Sequence, residues 1–231
     1  MVGIIGAMSG EVQGLKEQME NISVSEKSGM EFYKGTLHGT EAVVVQSGVG
    51  KVNAGICAAL LINIFGADVL INTGIAGSLN NDINIGDVVL STNAIQHDVD
   101  ATSFGTYALG QIPGFDTADF KADEKLIDIA EKACKNVNPD INVFKGRVVT
   151  GDQFVADKSK KKWLIENFSG YCTEMEGGAI AQAAYLSEVP FIIIRVISDK
   201  ADDSSVVDYP EFEKKAIEHS IRLTSEIVKN L

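Results

Sequence analysis

Acidic side chains placed just after apolar runs are the first candidates for chemistry, because α/β sheets bind ligands where strands end and loops begin. Four segments fit that description. Gly6-Ala7-Met8-Ser9-Gly10-Glu11 puts Glu11 at the start of a predicted helix after a buried strand. By position alone, an acid there offsets the helix macrodipole. Asn72-Thr73-Gly74-Ile75-Ala76-Gly77-Ser78 follows a strand, and its small residues let a flat ligand approach the backbone. A plain turn explains it equally well. Thr173-Glu174-Met175-Glu176-Gly177-Gly178 carries two acids ahead of a small-residue helix. In an extended strand they face one side, and paired acids in an apolar setting need a partner; a solvated edge with capping acids is the plainer reading. Arg195-Val196-Ile197-Ser198-Asp199 interrupts an apolar strand with a charge. Alternation places Arg195 and Asp199 on one side, as a structural ion pair or part of a site.

Other candidates are weaker. His97, Asp98 and Asp100 lack a metal-ligand spacing, so a structural or capping role is expected. Gly3 and Gly6 do not make the dinucleotide-binding G-x-G-x-x-G. Trp163 reads as a packing anchor on a basic helix.

The elements that must position these residues alternate. Strands are expected over Val2–Ala7, Met30–Leu37, Glu41–Gln46, Val69–Thr73, Val88–Ala94, Val143–Thr150 and Phe191–Ser198, with a short one before Glu174. Helices are expected over Glu11–Glu20, Val52–Phe65, Ala122–Asn136, Lys158–Phe168, Gly177–Ser187 and Pro210–Leu231. Val52–Phe65 is apolar nearly all round and reads as buried. Asp98–Phe120 has no period yet holds Phe104, Tyr107, Phe115 and Phe120, and such a loop needs a partner subunit or ligand to cover it. The pattern is an α/β domain with parallel and some antiparallel pairing, spanning 1–231 without linker or repeat.

Composition narrows the partners. The 231 residues are 45% hydrophobic and 23% charged, ordinary for a globular enzyme. A net charge of −12 argues against nucleic acid and anionic membranes, both polyanions. Cys57, Cys134 and Cys172 are odd in number and far apart, which fits reduced thiols in a reducing compartment. The apolar start is short and lacks a basic leader, and no run is long enough to span a bilayer. A cytoplasmic location is expected.

Several motifs occur together: Gly3-Ile4-Ile5-Gly6-Ala7-Met8, Gly48-Val49-Gly50-Lys51-Val52, Asn72-Thr73-Gly74, His97-Asp98-Val99-Asp100-Ala101-Thr102, Gly110-Gln111-Ile112-Pro113-Gly114, Gly151-Asp152-Gln153-Phe154, Glu174-Met175-Glu176 and Ser198-Asp199-Lys200-Ala201-Asp202. In that order the chain resembles the bacterial methylthioadenosine/S-adenosylhomocysteine nucleosidases of the nucleoside phosphorylase superfamily, essentially end to end. The resemblance implies a three-layer sandwich, with a mixed central sheet flanked by helices, and a homodimer. It also implies hydrolysis of adenine nucleosides without metal or cofactor. In it Glu11 activates water, Glu176 holds the ribose hydroxyls and Asp199 protonates the purine. Phe154 stacks on adenine, and the Val155 backbone reads its edge. Met8, Val49, Met175 and Tyr209 line the sugar and alkylthio pocket, with Phe104 entering from the second subunit. Ala76, Gly77, Arg195, Ser198 and Ala201 complete the expected substrate-binding set.

The chain departs from the family at Ile75, where Ser or Thr is usual, at Ser78, where Gly is common, and at Gly177-Gly178, where Ala-Thr is usual. Ile75 has no hydroxyl with which to help hold the attacking water. Three rival functions remain: a phosphate-dependent phosphorylase, a non-catalytic nucleoside-binding protein and, more remotely, a dinucleotide oxidoreductase. An acid such as Glu11 on the nucleophile side repels phosphate and suits neutral water.

Overall fold

The computed structural model describes residues 1–231. In chain order the elements are β1 (Val2–Gly6), α1 (Ser9–Lys16), β2 (Met19–Lys27), β3 (Met30–Leu37), β4 (Thr40–Gln46), α2 (Lys51–Asn63), β5 (Val69–Ser78) and β6 (Val88–Gln96). There follow β7 (Phe120–Lys121), α3 (Glu124–Val137), β8 (Val143–Thr150), α4 (Lys158–Phe168), β9 (Cys172–Glu174), α5 (Gly177–Leu186), β10 (Phe191–Asp199) and α6 (Ser205–Lys229).

The sheet is mixed, as the alternating pattern implies. Its order is β10-β6-β8-β9-β5-β1-β4-β3-β2, with β7 added to β6. β10 also pairs with β5, so β5, β10, β6, β8 and β9 close into a ring rather than an open sheet. Strand β1 joins that ring to the β2–β4 meander through parallel pairs with β5 and β4. Fully buried runs such as Phe191–Asp199 belong to strands covered on both faces.

Several boundaries differ from the sequence pattern, each for a local reason. The first helix stops at Lys16, and Met19 already begins β2. Almost all of β2 is exposed, so it carries no two-residue apolar period to reveal it. The small-residue stretch through Ser78 is strand, not loop, because β9 and β10 pair with it on either side. Helix α6 starts at Ser205 and runs through Pro210, which lies past the first turn and forfeits one i→i−4 hydrogen bond. Helix α2 is not buried all round: Val52 is 72% and Ile56 42% exposed. The basic helix α4 buries Lys161 along with Leu164 and Phe168.

The long loop is only partly covered by the chain itself. Phe115 and Phe120 pack edge-on against each other and tilted against Tyr185, whereas Phe104 is 75% exposed. All three cysteines are free and buried. No helix is long and apolar enough to cross a membrane.

Candidate active site

The ends of β1, β5, β9 and β10 meet around a cavity of about 340 Å³. Glu11 reaches it from the first turn of α1. Its Oε2 accepts from the Ala7 N–H at 2.7 Å and the Met8 N–H at 3.0 Å, and its Oε1 from the Ile75 N–H at 3.2 Å. One carboxyl therefore both caps α1 and lines the cavity. Gly74 makes room, since a Cβ there would sit 2.5 Å from Glu11 Oε1. Burial raises the Glu11 carboxyl above its ordinary range, against the pull of Arg195 and the three N–H groups.

Glu174 and Glu176 do different things. Strand β9 ends at Glu174, and Glu176 is the N-cap of α5, so the two are not successive same-face positions of one strand. Glu174 pairs with Arg195, takes the Thr150 hydroxyl, and accepts the Gly177 N–H at 2.7 Å and the Glu176 N–H at 3.2 Å. Glu176 accepts only the Gly50 N–H, at 2.9 Å, and lies 4.0 Å from Arg195. Burial and then repulsion from Glu174 push its carboxyl up to about 7, with Arg195 opposing.

The expected Arg195–Asp199 pairing does not form. An extra residue in β10 shifts the register: Ile197 pairs with Ala76 but Asp199 pairs with Gly77. This β-bulge at Ser198 breaks the alternation and turns Asp199 to the face opposite Arg195. Arg195 instead binds Asn72 Oδ1 at 2.6 Å and Glu174, and is 2% exposed. It stands behind the cavity wall and does not line it. Asp199 does line it, accepting the Ala201 N–H at 2.8 Å and the Ser205 hydroxyl at 2.7 Å on Oδ1, and the Ser198 hydroxyl at 2.9 Å on Oδ2.

The remaining expected residues divide in the same way. Met8, Val49, Ala76, Gly77, Phe154, Val155, Met175, Ser198 and Tyr209 line the cavity with the three acids. Ala201 does not; it is fully buried and contributes its backbone N–H to Asp199. Phe104 is not part of this chain's cavity. Ala7, Ile75, Gln153, Thr173 and Glu174 line it although they were not in the expected set. Thr173 carries a buried hydroxyl without a partner; only its place beside Glu174 pointed to it.

The departures from the family pattern have local explanations. Ser78 donates to the Asn80 carbonyl at 2.7 Å and so holds the turn after β5. A Cβ on Gly177 would meet Ile193 at 2.8 Å, and one on Gly178 would meet Gln96 and Thr150 at 2.9 Å. Ile75 gives the site its N–H rather than a hydroxyl. His97 is buried with both ring nitrogens unpaired, edge-on to Phe168, rather than capping. Asp98 takes the Lys51 ammonium at 2.5 Å and the Asp152 N–H at 3.0 Å. Trp163 packs edge-on against Phe168.

Residues 1–229 match the family model described as the phosphorylase superfamily. A 5′-methylthioadenosine/S-adenosylhomocysteine nucleosidase of Anoxybacillus flavithermus is 42% identical over 231 residues, covering 100% of this chain and 98% of the relative. The chain belongs to this nucleosidase family of the phosphorylase superfamily. The nucleosidase of Neisseria meningitidis, solved in complex with methylthio-immucillin-A, superposes with a TM-score of 0.95 at 41% identity, covering 100% of this chain and 99% of that one. The futalosine hydrolase of Helicobacter pylori strain 26695 gives 0.93 at 31% identity, covering 100% and 97%. Family membership settles the α/β class and the mixed sheet.

Proposed function

We propose that the protein hydrolyses the N-glycosidic bond of 5′-methylthioadenosine and S-adenosylhomocysteine, giving adenine and the thioribose. One observation carries the choice of hydrolysis over phosphorolysis. The cavity wall holds four carboxyls (Glu11, Glu174, Glu176 and Asp199) and no Lys, Arg or His. A phosphate dianion needs cationic or N–H partners, and here Arg195 is committed to Glu174 and most N–H groups near the acids already have acceptors. Neutral water suits such a wall.

The chemistry follows from where the charges lie. Breaking the bond leaves positive charge on the sugar and negative charge on the base. Asp199 delivers a proton to the purine ring nitrogen. Anionic Glu176 binds the ribose hydroxyls and stabilises the sugar cation. Glu11 takes the proton of the attacking water; burial brings this base closer to its working pH. Phe154, 54% exposed and edge-on to Tyr209 at 5.7 Å, offers the adenine a face. Such turnover would serve methionine salvage and remove S-adenosylhomocysteine.

Within this reading residues 1–231 form one domain in the cytoplasm. The packed groups α1–α3–α6 and α2–α5 are its outer layers around a partly closed sheet. The molecule works as a homodimer. Val52, Leu186 and Phe104, respectively 72%, 65% and 75% exposed, leave an apolar surface for a second copy, whose Phe104 completes the pocket. The test is adenine release from methylthioadenosine with and without phosphate. Equal rates are expected; strict dependence on phosphate overturns hydrolysis in favour of a phosphorylase.

A further inference from the structure

The two oxygens of Asp199 are bound unequally. Oδ1 meets two donors: the Ala201 N–H at 2.8 Å and the Ser205 hydroxyl at 2.7 Å. Ser205 Oγ accepts the Asp202 N–H at 2.9 Å, and the one acceptor it meets for its own proton is Oδ1. A backbone N–H can only donate, so the single hydroxyl proton goes to Oδ1. Oδ2 meets only Ser198 Oγ at 2.9 Å, and that hydroxyl has an alternative acceptor in the Ala76 carbonyl at 3.4 Å.

The turn that brings these donors in is held from outside the cavity. Ala201 is left-handed at φ 51°, a conformation that is costly for a non-glycine residue and persists only where its surroundings enforce it. Lys161 of α4 supplies that enforcement: its ammonium binds the Lys200 carbonyl at 2.6 Å and lies 3.5 Å from Asp202. Gly77 leaves the space, since a Cβ there would stand 2.8 Å from the Ala201 Cβ. Ser205 itself is fully buried at the first position of α6.

We infer that Ser205 is a positioning residue for the leaving-group acid: with the Ala201 N–H it occupies Oδ1, so that the proton of Asp199 sits on Oδ2 and is delivered from there. This assignment rests on the nucleosidase reading. In the step itself the Oδ2 proton passes to the purine ring nitrogen as the C–N bond breaks, and the bonding pair goes to the base. Water then adds its oxygen to the sugar carbon and gives its proton to Glu11. Without the Ser205 hydroxyl, Oδ1 has one donor and the proton can reside on either oxygen, one of them misdirected.

The test compares two substrates on one enzyme preparation: methylthioadenosine, and a 4-nitrophenyl 5-methylthioriboside whose leaving group departs as an anion without protonation. Ser205→Ala lowers kcat on methylthioadenosine roughly 10-fold, the scale of one hydrogen bond to a charged group. It leaves the nitrophenyl riboside within about twofold. Ser205→Cys, with similar volume and a weaker donor, falls between. Equal losses on both substrates in both variants, or no loss on either, overturn the assignment and leave the nucleosidase reading standing. An unmutated protein that cleaves neither substrate overturns both.

Discussion

The two ends of the cavity hold their acids by different means. At one end Glu11, Glu174 and Glu176 are gripped mainly by backbone N–H groups of Ala7, Met8, Ile75, Gly50 and Gly177, with buried Arg195 behind them. At the other end Asp199 is held by two serine hydroxyls and the N–H of a left-handed alanine. Around that second end Phe154 and the start of α6, with Val206 and Val207, are largely exposed. Backbone donors survive any side-chain replacement, whereas hydroxyl donors do not. The Glu11–Glu174–Glu176 end is therefore fixed largely by the fold, and the Asp199 end is tunable by single substitutions.

The largest effects should come from the acids themselves. Glu11→Gln and Asp199→Asn each lower kcat on methylthioadenosine by about 10²–10⁴, the range of one general acid or base. Binding of a non-hydrolysable analogue, measured by calorimetry, changes far less. If the unmutated protein binds the nucleoside but never turns it over, the site is only a receptor.

Next in size is the charge behind the first end. Arg195→Leu leaves Glu174 buried and uncompensated beside Glu176 and destabilises the fold by about 3–5 kcal/mol in urea unfolding. A loss below about 1 kcal/mol would mean that Arg195 does not balance these acids.

Smaller still is the effect of pH through Glu176. Its carboxyl is raised from 4.5 to about 7 in the folded chain. Between those values the unfolded chain gives up the proton while the folded one keeps it, so this stabilisation is complete below 4.5 and is lost as pH rises through 7. Glu176→Gln removes that loss. The variant should be more stable than the parent at pH 8 by on the order of 2 kcal/mol, with little difference at pH 4, while losing turnover. A parent and variant with parallel stability profiles would contradict the burial of Glu176 as a charge.

Much of this arrangement was legible in the residues. Runs of β-branched and apolar residues located β1, β8 and β10, and Glu11 after the first and Asp199 at the end of the last line the cavity. What stayed hidden depended on long-range pairing. The bulge at Ser198 is one extra residue opposite Ala76–Gly77 and leaves no mark on strand alternation, so Arg195 and Asp199 were placed together and in fact face apart. Ser205 falls in the polar stretch ahead of the helix expected from Pro210, and Lys161 lies on the basic helix expected over Lys158–Phe168. Their roles appear only when α4 and α6 fold onto the turn after β10. Exposed β2 had no apolar face to betray it.

In the proposed mechanism one end of the cavity activates water and the other protonates the leaving base. Turnover of the nitrophenyl riboside by Glu11→Gln and by Asp199→Asn separates the two roles. Glu11→Gln is expected to lose about 10²-fold or more on this substrate as well, while Asp199→Asn retains nearly full activity on it. Equal losses in the two variants, or the reverse order, would contradict this mechanism.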